Sequence, residues 1–300
     1  MVTFHSCRSR LLFILPGGLQ NRRKYAILSV NFCPIPGLRK GLYMKLLALG
    51  DVVGLAALPF LRRELPRLRA ALGADFVIAN AENVCDIHGL SPDAAEELLA
   101  AGVDFLTSGN HIFDRRDVYT FLDDSKSVIR PLNFPGECPG CGARVVTSAD
   151  GWRVLVMNVS GCVFMDALND PFAAVERALA EERGRYDAAV LDVHAEATSE
   201  KLALARYFDG RLAAVFGTHT HVQTADEQVL PGGTGYITDL GMCGPADGIL
   251  GVRTEDVLNR FRTHMPTRFR VATGAPRATG ALFEIDAVNN RALSVTRIAF

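Results

Sequence analysis

The sequence predicts an α/β fold in which parallel strands covered by helices are joined by a second, mixed sheet. Apolar runs of strand length alternate with amphipathic stretches of helix length, which favours parallel strands and helical crossovers. The middle and the end of the chain carry tight-turn signals between short apolar runs, which favours hairpins. Five of the apolar runs end on residues of metal-ligating type, and in open α/β sheets ligands gather at the carboxyl ends of strands.

Lys45 to Leu49 forms the first strand and runs into Gly50-Asp51. Leu58, Leu61, Leu65, Leu68 and Leu72 keep i, i+3, i+4 spacing, which predicts an amphipathic helix that Pro66 kinks or interrupts. Asp75 to Asn80 is the second strand and leads to Glu82-Asn83. Ser91-Pro92 supplies an N-cap and a proline at the first helical position of a helix to about Ala101, which Gly102 ends. Val103 to Thr107 is the third strand and delivers Asn110 and His111; Asp114 is placed to cap a helix to about Leu122.

Ala143 to Thr147 and Arg153 to Asn158 flank an Asp150-Gly151 turn and predict a hairpin. Asp170-Pro171 opens a helix through Glu182, Ala188 to Val193 is a strand running into His194, and a helix follows from about Ser199 to Tyr207. Leu212 to Phe216 runs into Gly217-Thr218-His219-Thr220-His221. Glu227 to Leu230 and Gly235 to Thr238 flank Pro231-Gly232-Gly233, and Ala281 to Ile285 and Leu293 to Ile298 are further short strands. A second, mixed sheet packed on the first accommodates these hairpins without another domain.

Three hundred residues can bury a substantial core, and one domain over 44–300 is sufficient. The first 43 residues carry scattered Arg and Lys, Pro-Gly turns and apolar runs too short to span a bilayer, and are read as a disordered extension or the product of a start codon upstream of the true one, Met44. A chain beginning at Met44 is expected to fold and to keep its activity. A net charge of −1 gives no long-range field for nucleic acid or an anionic membrane, so neither is expected as a partner. Seven cysteines, an odd number without paired spacing, are expected to be free thiols in a reducing cytoplasm. Cys138-Pro139-Gly140-Cys141 lacks the second pair that a zinc site needs and reads as a loop. The pattern leaves a homo-oligomer open.

The candidate ligands are Asp51, Glu82, Asn83, Asn110, His194, His219 and His221. Carboxylates, amide oxygens and imidazoles form a mixed O/N set that suits Mn, Fe, Co, Ni or Zn, whereas Mg and Ca prefer oxygen alone and structural zinc prefers thiolate. Seven side chains exceed one tetrahedral ion, so two ions with one bridging carboxylate are expected. Paired ions about 3.5 to 4 Å apart generate a hydroxide nucleophile at neutral pH and stabilise both oxygens of an in-line phosphoryl displacement. A lone histidine on an apolar strand is ordinarily a core residue. His219 and His221, two apart beyond a strand and a glycine, are read as ligands that share a face on a strand or straddle two ions in a turn. His111 diverges from its neighbour Asn110 and is the candidate proton donor. Glu196 and Glu200 fit either outer support for the site or the opening of the next helix. Asp239 and Asp247 are read as turn residues, and His88 as solvated or substrate-facing.

Gly50-Asp51-Val52-Val53-Gly54, Asn80-Ala81-Glu82-Asn83, Gly109-Asn110-His111, the stretch from His194 to Lys201 and the stretch from Gly217 to Asp226 resemble the calcineurin-like metallophosphoesterases, and within them the YmdB-like bacterial branch. The likeness runs from Met44 to the C-terminus and includes Ile237 to Met242 and Asp247 to Gly251. It implies a four-layer αββα sandwich and a two-metal site, often iron. In that site Asp51, Asn83 and His221 hold one ion, Asn110, His194 and His219 hold the other, Glu82 bridges, and His111 donates a proton. It also implies hydrolysis of small phosphodiesters, 2′,3′-cyclic nucleotides in particular. Val84-Cys85-Asp86-Ile87-His88 and the cysteines at 138 and 141 depart from the branch pattern. The same ligands would serve a phosphomonoesterase such as a nucleotidase, and a regulatory protein could retain them while signalling through partners.

Overall fold

The computed structural model describes residues 43–300, together with the backbones of β1 (Phe13–Ile14) and β2 (Tyr25–Ala26), which pair antiparallel. The expectations for the rest of the first 43 residues lie outside the described residues. β3 (Tyr43–Val53), α1 (Ala57–Leu72), β4 (Phe76–Asn83), α2 (Pro92–Ala100), β5 (Phe105–Thr107) and α3 (Val118–Asp124) form the expected β/α run, with β3, β4 and β5 parallel. β6 (Ala143–Thr147) and β7 (Arg153–Ser160) are the antiparallel hairpin. α4 (Pro171–Glu181), β8 (Ala188–His194), α5 (Thr198–Tyr207) and β9 (Ala214–Thr218) follow, then the antiparallel pair β10 (Gln228–Val229) and β11 (Gly235–Ile237). β12 (Met242–Pro245), α6 (Thr254–Thr263), β13 (Pro276–Asp286) and β14 (Arg291–Ala299) end the chain.

The twelve strands from β3 on form two six-stranded mixed sheets, ordered β14-β13-β12-β3-β4-β5 and β10-β11-β9-β8-β7-β6. Side chains alternate across a strand, so each sheet buries two different faces. Leu47, Leu49, Val77 and Ala79 pack with Leu58, Leu61 and Leu65 of α1, Leu98 of α2 and Leu122 of α3. Their neighbours Leu46, Ala48, Phe76 and Ile78 pack instead on Val154, Val156, Val190 and Phe216 of the second sheet. Leu155, Met157, Leu191 and Val215 face Val175 and Ala178 of α4 and Leu204 of α5. Three cores separate four layers, helices on sheet on sheet on helices, the αββα sandwich that the sequence's resemblance implied.

Ser91 and Asp170 cap α2 and α4 as expected, accepting from Ala94 N at 3.2 Å and Phe172 N at 2.9 Å. α1 is not interrupted at Pro66: residues 62 and 66 both lie on its solvent face, where the carbonyl that loses its partner can meet water. α3 begins at Val118, later than expected, and Asp114 does not cap it, because its carboxylate lies 2.9 Å from His111 Nδ1. Sequence patterning did not anticipate β12, whose Met-Cys-Gly-Pro has no strand signature, or α6. β12 exists because it is inserted beside β3 and β13, which supply its hydrogen-bond partners. No helix among the described residues is long and apolar enough to cross a membrane.

Candidate metal centre

Strand parity places the site. Phe76 and Ile78 face the inter-sheet core, so Asn80 and Glu82, two and four residues on, leave β4 on that same face. By the same count Val190 is followed by Asp192 and His194 on β8, Phe216 by Thr218 on β9, and Phe105 by Thr107 on β5. β3 is out of phase: Leu47 and Leu49 face the helices, and an unbroken strand would send Asp51 after them. The register shifts at Gly50, where Leu49 pairs with Ala79 and Asp51 with Asn80, so a one-residue bulge turns Asp51 toward Glu82. Glycine is required at the bulge because a Cβ at residue 50 would overlap the Gly241 carbonyl. The polar ends of one inter-sheet face therefore close the apolar core.

Loops bring the remaining groups. Asn110 follows Gly109, where a Cβ would be driven into the His194 ring and the Glu82 carboxylate. His219 and His221 lie in a turn beyond β9 with φ of 96° and 63°, a left-handed backbone that non-glycine residues adopt at a cost of about 1 to 3 kcal/mol each. Hydrogen bonds hold this turn. Asp51 Oδ2 accepts His219 N–H at 3.0 Å, and Asp239 Oδ2 accepts from Thr220 N at 3.2 Å and Thr220 Oγ1 at 2.8 Å. Lys201 Nζ meets Asp239 at 2.7 Å with both side chains buried, and Asp239 Oδ1 accepts Gly241 N–H at 2.8 Å. Asp239, read from the sequence as a turn residue, thus carries a buried ion pair that shapes the His219–His221 turn.

All seven expected ligands converge. His194 Nε2 lies 2.9 Å from Glu82 Oε1, 3.0 Å from Asn110 Oδ1 and 3.1 Å from His219 Nδ1. Asn83 Nδ2 lies 3.2 Å from both Glu82 Oε1 and His221 Nε2 and 3.5 Å from Asp51 Oδ1, which is 3.8 Å from His221 Nε2. Glu82 belongs to both groups. Donor atoms at about 2.0 to 2.2 Å from one ion lie about 3 Å apart, so the spacing and the O/N chemistry of this set fit a transition-metal centre. Glu82, His194 and His219 form one group of described residues able to hold an ion, and His88, His111 and Asp114 form another, more exposed one.

Each imidazole in the cluster has an oxygen on its other nitrogen. His194 Nδ1 lies 2.9 Å from Thr218 Oγ1, His219 Nε2 3.2 Å from Glu196 Oε2, and His221 Nδ1 3.0 Å from the Leu250 carbonyl. Such partners fix tautomer and ring orientation. Glu196 is thus the outer support that the sequence left as one of two readings, whereas Glu200 binds the backbone N–H groups of Cys162 and Val163 instead.

The charges are mutually supporting. Burial would raise the Glu82 carboxyl, but the His194 charge and hydrogen bond, with help from His111, outweigh it and hold it at about 2. Burial would lower His194, yet Glu82 and then Asp51 push it up to about 9. Burial, followed by the charge on His194, drives His219 down to about 3, and burial raises Asp51 against His221 and His194. Metal-free, the pocket holds a Glu82–His194 ion pair beside a neutral His219.

His111 flanks the cluster without entering it. Its backbone N–H donates to Glu82 Oε2 at 2.9 Å, its Nδ1 meets Asp114, and its half-buried ring stacks on His88 with centroids 3.9 Å apart. Burial and then the neighbouring His111 lower the His88 pKa. The five cysteines among the described residues are free thiols, and Cys141 Sγ accepts from Arg144 at 3.1 Å.

A two-sheet αββα sandwich with carboxylate, amide and imidazole groups gathered at its strand ends defines a metallophosphoesterase-like protein. The chain belongs to the YmdB-like protein family, whose model matches residues 47–298. It is 43% identical over 255 residues to a Bacillus subtilis (strain 168) 2′,3′-cyclic-nucleotide 2′-phosphodiesterase, covering 85% of this chain and 96% of that protein. A crystal structure of a hypothetical protein from Thermus thermophilus superposes with a TM-score of 0.80 at 42% identity, covering 86% of this chain and 99% of that one. A novel phosphatase from Mycoplasma pneumoniae gives a TM-score of 0.80 at 32% identity, covering 86% and 93%.

Proposed function

We propose that this protein is a metal-dependent phosphodiesterase that hydrolyses 2′,3′-cyclic nucleotides and opens the bond to the 2′ oxygen. The observation that carries this reading is the convergence of seven carboxylate, amide and imidazole side chains about the buried Glu82 carboxylate. The Bacillus subtilis relative supports the choice of substrate. Asp51, Asn83 and His221 would hold one ion and Asn110, His194 and His219 a second, with Glu82 within reach of both groups. The donor set suits iron, with manganese or zinc as substitutes. Bound there, two such ions supply Lewis acidity toward the phosphate and lower the pKa of water. His111 protonates the departing 2′ oxygen. Donation of its Nδ1–H to Asp114, 2.9 Å away, leaves Nε2 as the atom free to deliver a proton. The absence of paired cysteine spacing supports a cytoplasmic setting.

The test is a single assay series on anaerobically purified, metal-loaded protein. Hydrolysis of 2′,3′-cyclic AMP with phosphorus NMR detection should yield the 3′-phosphomonoester and a free 2′ hydroxyl. Rapid turnover of p-nitrophenyl phosphate with inert cyclic substrates would replace this reading with a phosphomonoesterase, and inactivity on both would favour the regulatory alternative.

A further inference from the structure

Beneath the seven converging donors lies a buried polar layer that the expected chemistry does not use: Asn80, Thr107, Asp192 and Thr218, all on the inter-sheet face and at most 1% exposed. With the Asp192 carboxylate ionised, its hydrogen bonds run in one consistent direction. Asp192 Oδ2 takes the Thr107 hydroxyl at 2.5 Å and Asn80 Nδ2 at 3.2 Å, while Oδ1 takes the Thr218 hydroxyl at 2.7 Å. A threonine hydroxyl has a single proton, and Thr218 directs it to Asp192. Thr218 Oγ1 then accepts from its other neighbours, Asn80 Nδ2 at a longer 3.4 Å and His194 Nδ1 at 2.9 Å, so the imidazole N–H is the donor there. Asn80 does not compete for that nitrogen. Its amide protons go to the Ser108 carbonyl at 2.8 Å and to Asp192, its Oδ1 accepts Glu82 N–H at 3.2 Å, and its approach to His194 Nδ1 is longer, 3.4 Å.

We propose that Asp192, acting through Thr218, holds His194 with a proton on Nδ1 and so fixes Nε2 as the atom it presents to a metal ion. Asp192 and Thr218 are positioning residues, and the inference rests on the metal-centre reading above. Of the three imidazoles, His194 alone is backed through a hydroxyl by a fully buried carboxylate, since His219 leans on a half-exposed Glu196 and His221 on a backbone carbonyl. A carboxylate behind a ligating imidazole raises its basicity and fixes its ring, and loss of such a partner typically costs about 10- to 100-fold in metal affinity. Thr107 and Asn80 steady the carboxylate from the other side.

The experiment compares wild type with Thr218→Val and Thr218→Ser in the full chain, using manganese titration against a chelating dye, with nitrogen-15 NMR of labelled histidine on the metal-free proteins. Valine keeps the shape and removes the hydroxyl, whereas serine keeps the hydroxyl. The inference expects about 10- to 100-fold weaker binding at one of two manganese sites in Thr218→Val. It also expects near wild-type affinity in Thr218→Ser and, on His194, an Nδ1 proton that exchanges slowly with water in wild type and Thr218→Ser but rapidly in Thr218→Val. Equal affinities in all three proteins, or a serine variant as weak as the valine one, would overturn it. Wild-type protein that binds no manganese would sink the metal-centre reading, while the exchange rate of the Nδ1 proton would still decide whether Thr218 holds it. Should Thr218→Val fail to fold, Thr218→Ala, which also removes the hydroxyl, carries the decision through the same signal, with Nδ1 exchange as slow as in wild type refuting the inference.

Discussion

Raising the pH from about 6.5 to about 9 should destabilise the metal-free protein by about 3 kcal/mol, and metal loading should abolish most of that loss. His194 is fully buried, and its pKa is raised from 6.5 to about 9 because Glu82 and Asp51 overcome the opposing effect of burial. The difference between those two values, at 1.36 kcal/mol per pH unit, gives about 3 kcal/mol. A folded-state pKa above the unfolded one means that the stabilisation is fully present below 6.5 and lost as pH climbs through 9. His88 and His219 are lowered and Asp192 is raised only to about 6, so their contributions change below this window. Cys243 and Tyr236 are both raised to about 12 from their ordinary 9.0 and 10.0, so theirs change above it. Burial also raises Asp51, a shift whose effect on stability has the same sign as that of His194. Urea titrations in a chelator at several pH values measure the slope directly. At about 2 to 4 °C per kcal/mol for a large domain, the melting temperature should fall by roughly 6 °C or more. A metal ion on Nε2 replaces the proton, so the loaded protein should be nearly flat over the same range. A flat profile without metal, or an equally steep one with it, would refute the Glu82–His194 proton assignment. Glu82→Gln should flatten the metal-free profile for the same reason.

His111→Ala should retain both metals and slow 2′,3′-cyclic nucleotide hydrolysis by about 10²- to 10⁴-fold, with a smaller loss on bis-p-nitrophenyl phosphate, whose leaving group needs no proton. Steady-state rates with elemental analysis check this, and equal losses on both substrates would remove His111 as the acid. Lys201→Met should cost about 3 to 5 kcal/mol in urea unfolding, because it strands the buried Asp239 carboxylate that pins the His219–His221 turn. Gly109→Ala should abolish metal binding and destabilise the fold by about 1 to 3 kcal/mol, since the added methyl meets His194 and Glu82. Metal content after gel filtration reads the first effect and thermal melting the second.

Much of the site was legible because strand parity and strand ends are local properties. Glu82, Asn110, His194 and the His219–His221 pair each follow an apolar run, and the structure gathers them with Asp51 and Asn83 into one cluster. Asp192 and Thr218 carry a local signal of the same kind: each lies two residues beyond an inter-sheet apolar residue, on the same face as a candidate ligand. Lys201 and Asp239 were not legible, since a lysine inside a helix ordinarily reaches water and an aspartate beside glycine ordinarily serves a turn. Asp114 looked like a cap until the fold placed His111 beside it.

By itself, the sequence determined the two-sheet α/β architecture, the order of most elements and the chemical types gathered at the strand ends, because hydrophobic period and capping act over a few residues. Only the tertiary structure decided that a bulge at Gly50 would turn Asp51 into the site, that Met242–Pro245 would become a strand between β3 and β13, and that Lys201 would be buried against Asp239. Each of those depends on partners far away along the chain: Gly241 against Gly50, Asp51 and Ala278 beside β12, and Asp239 against Lys201. Register, burial and charge pairing are settled by such contacts, and no local pattern encodes them.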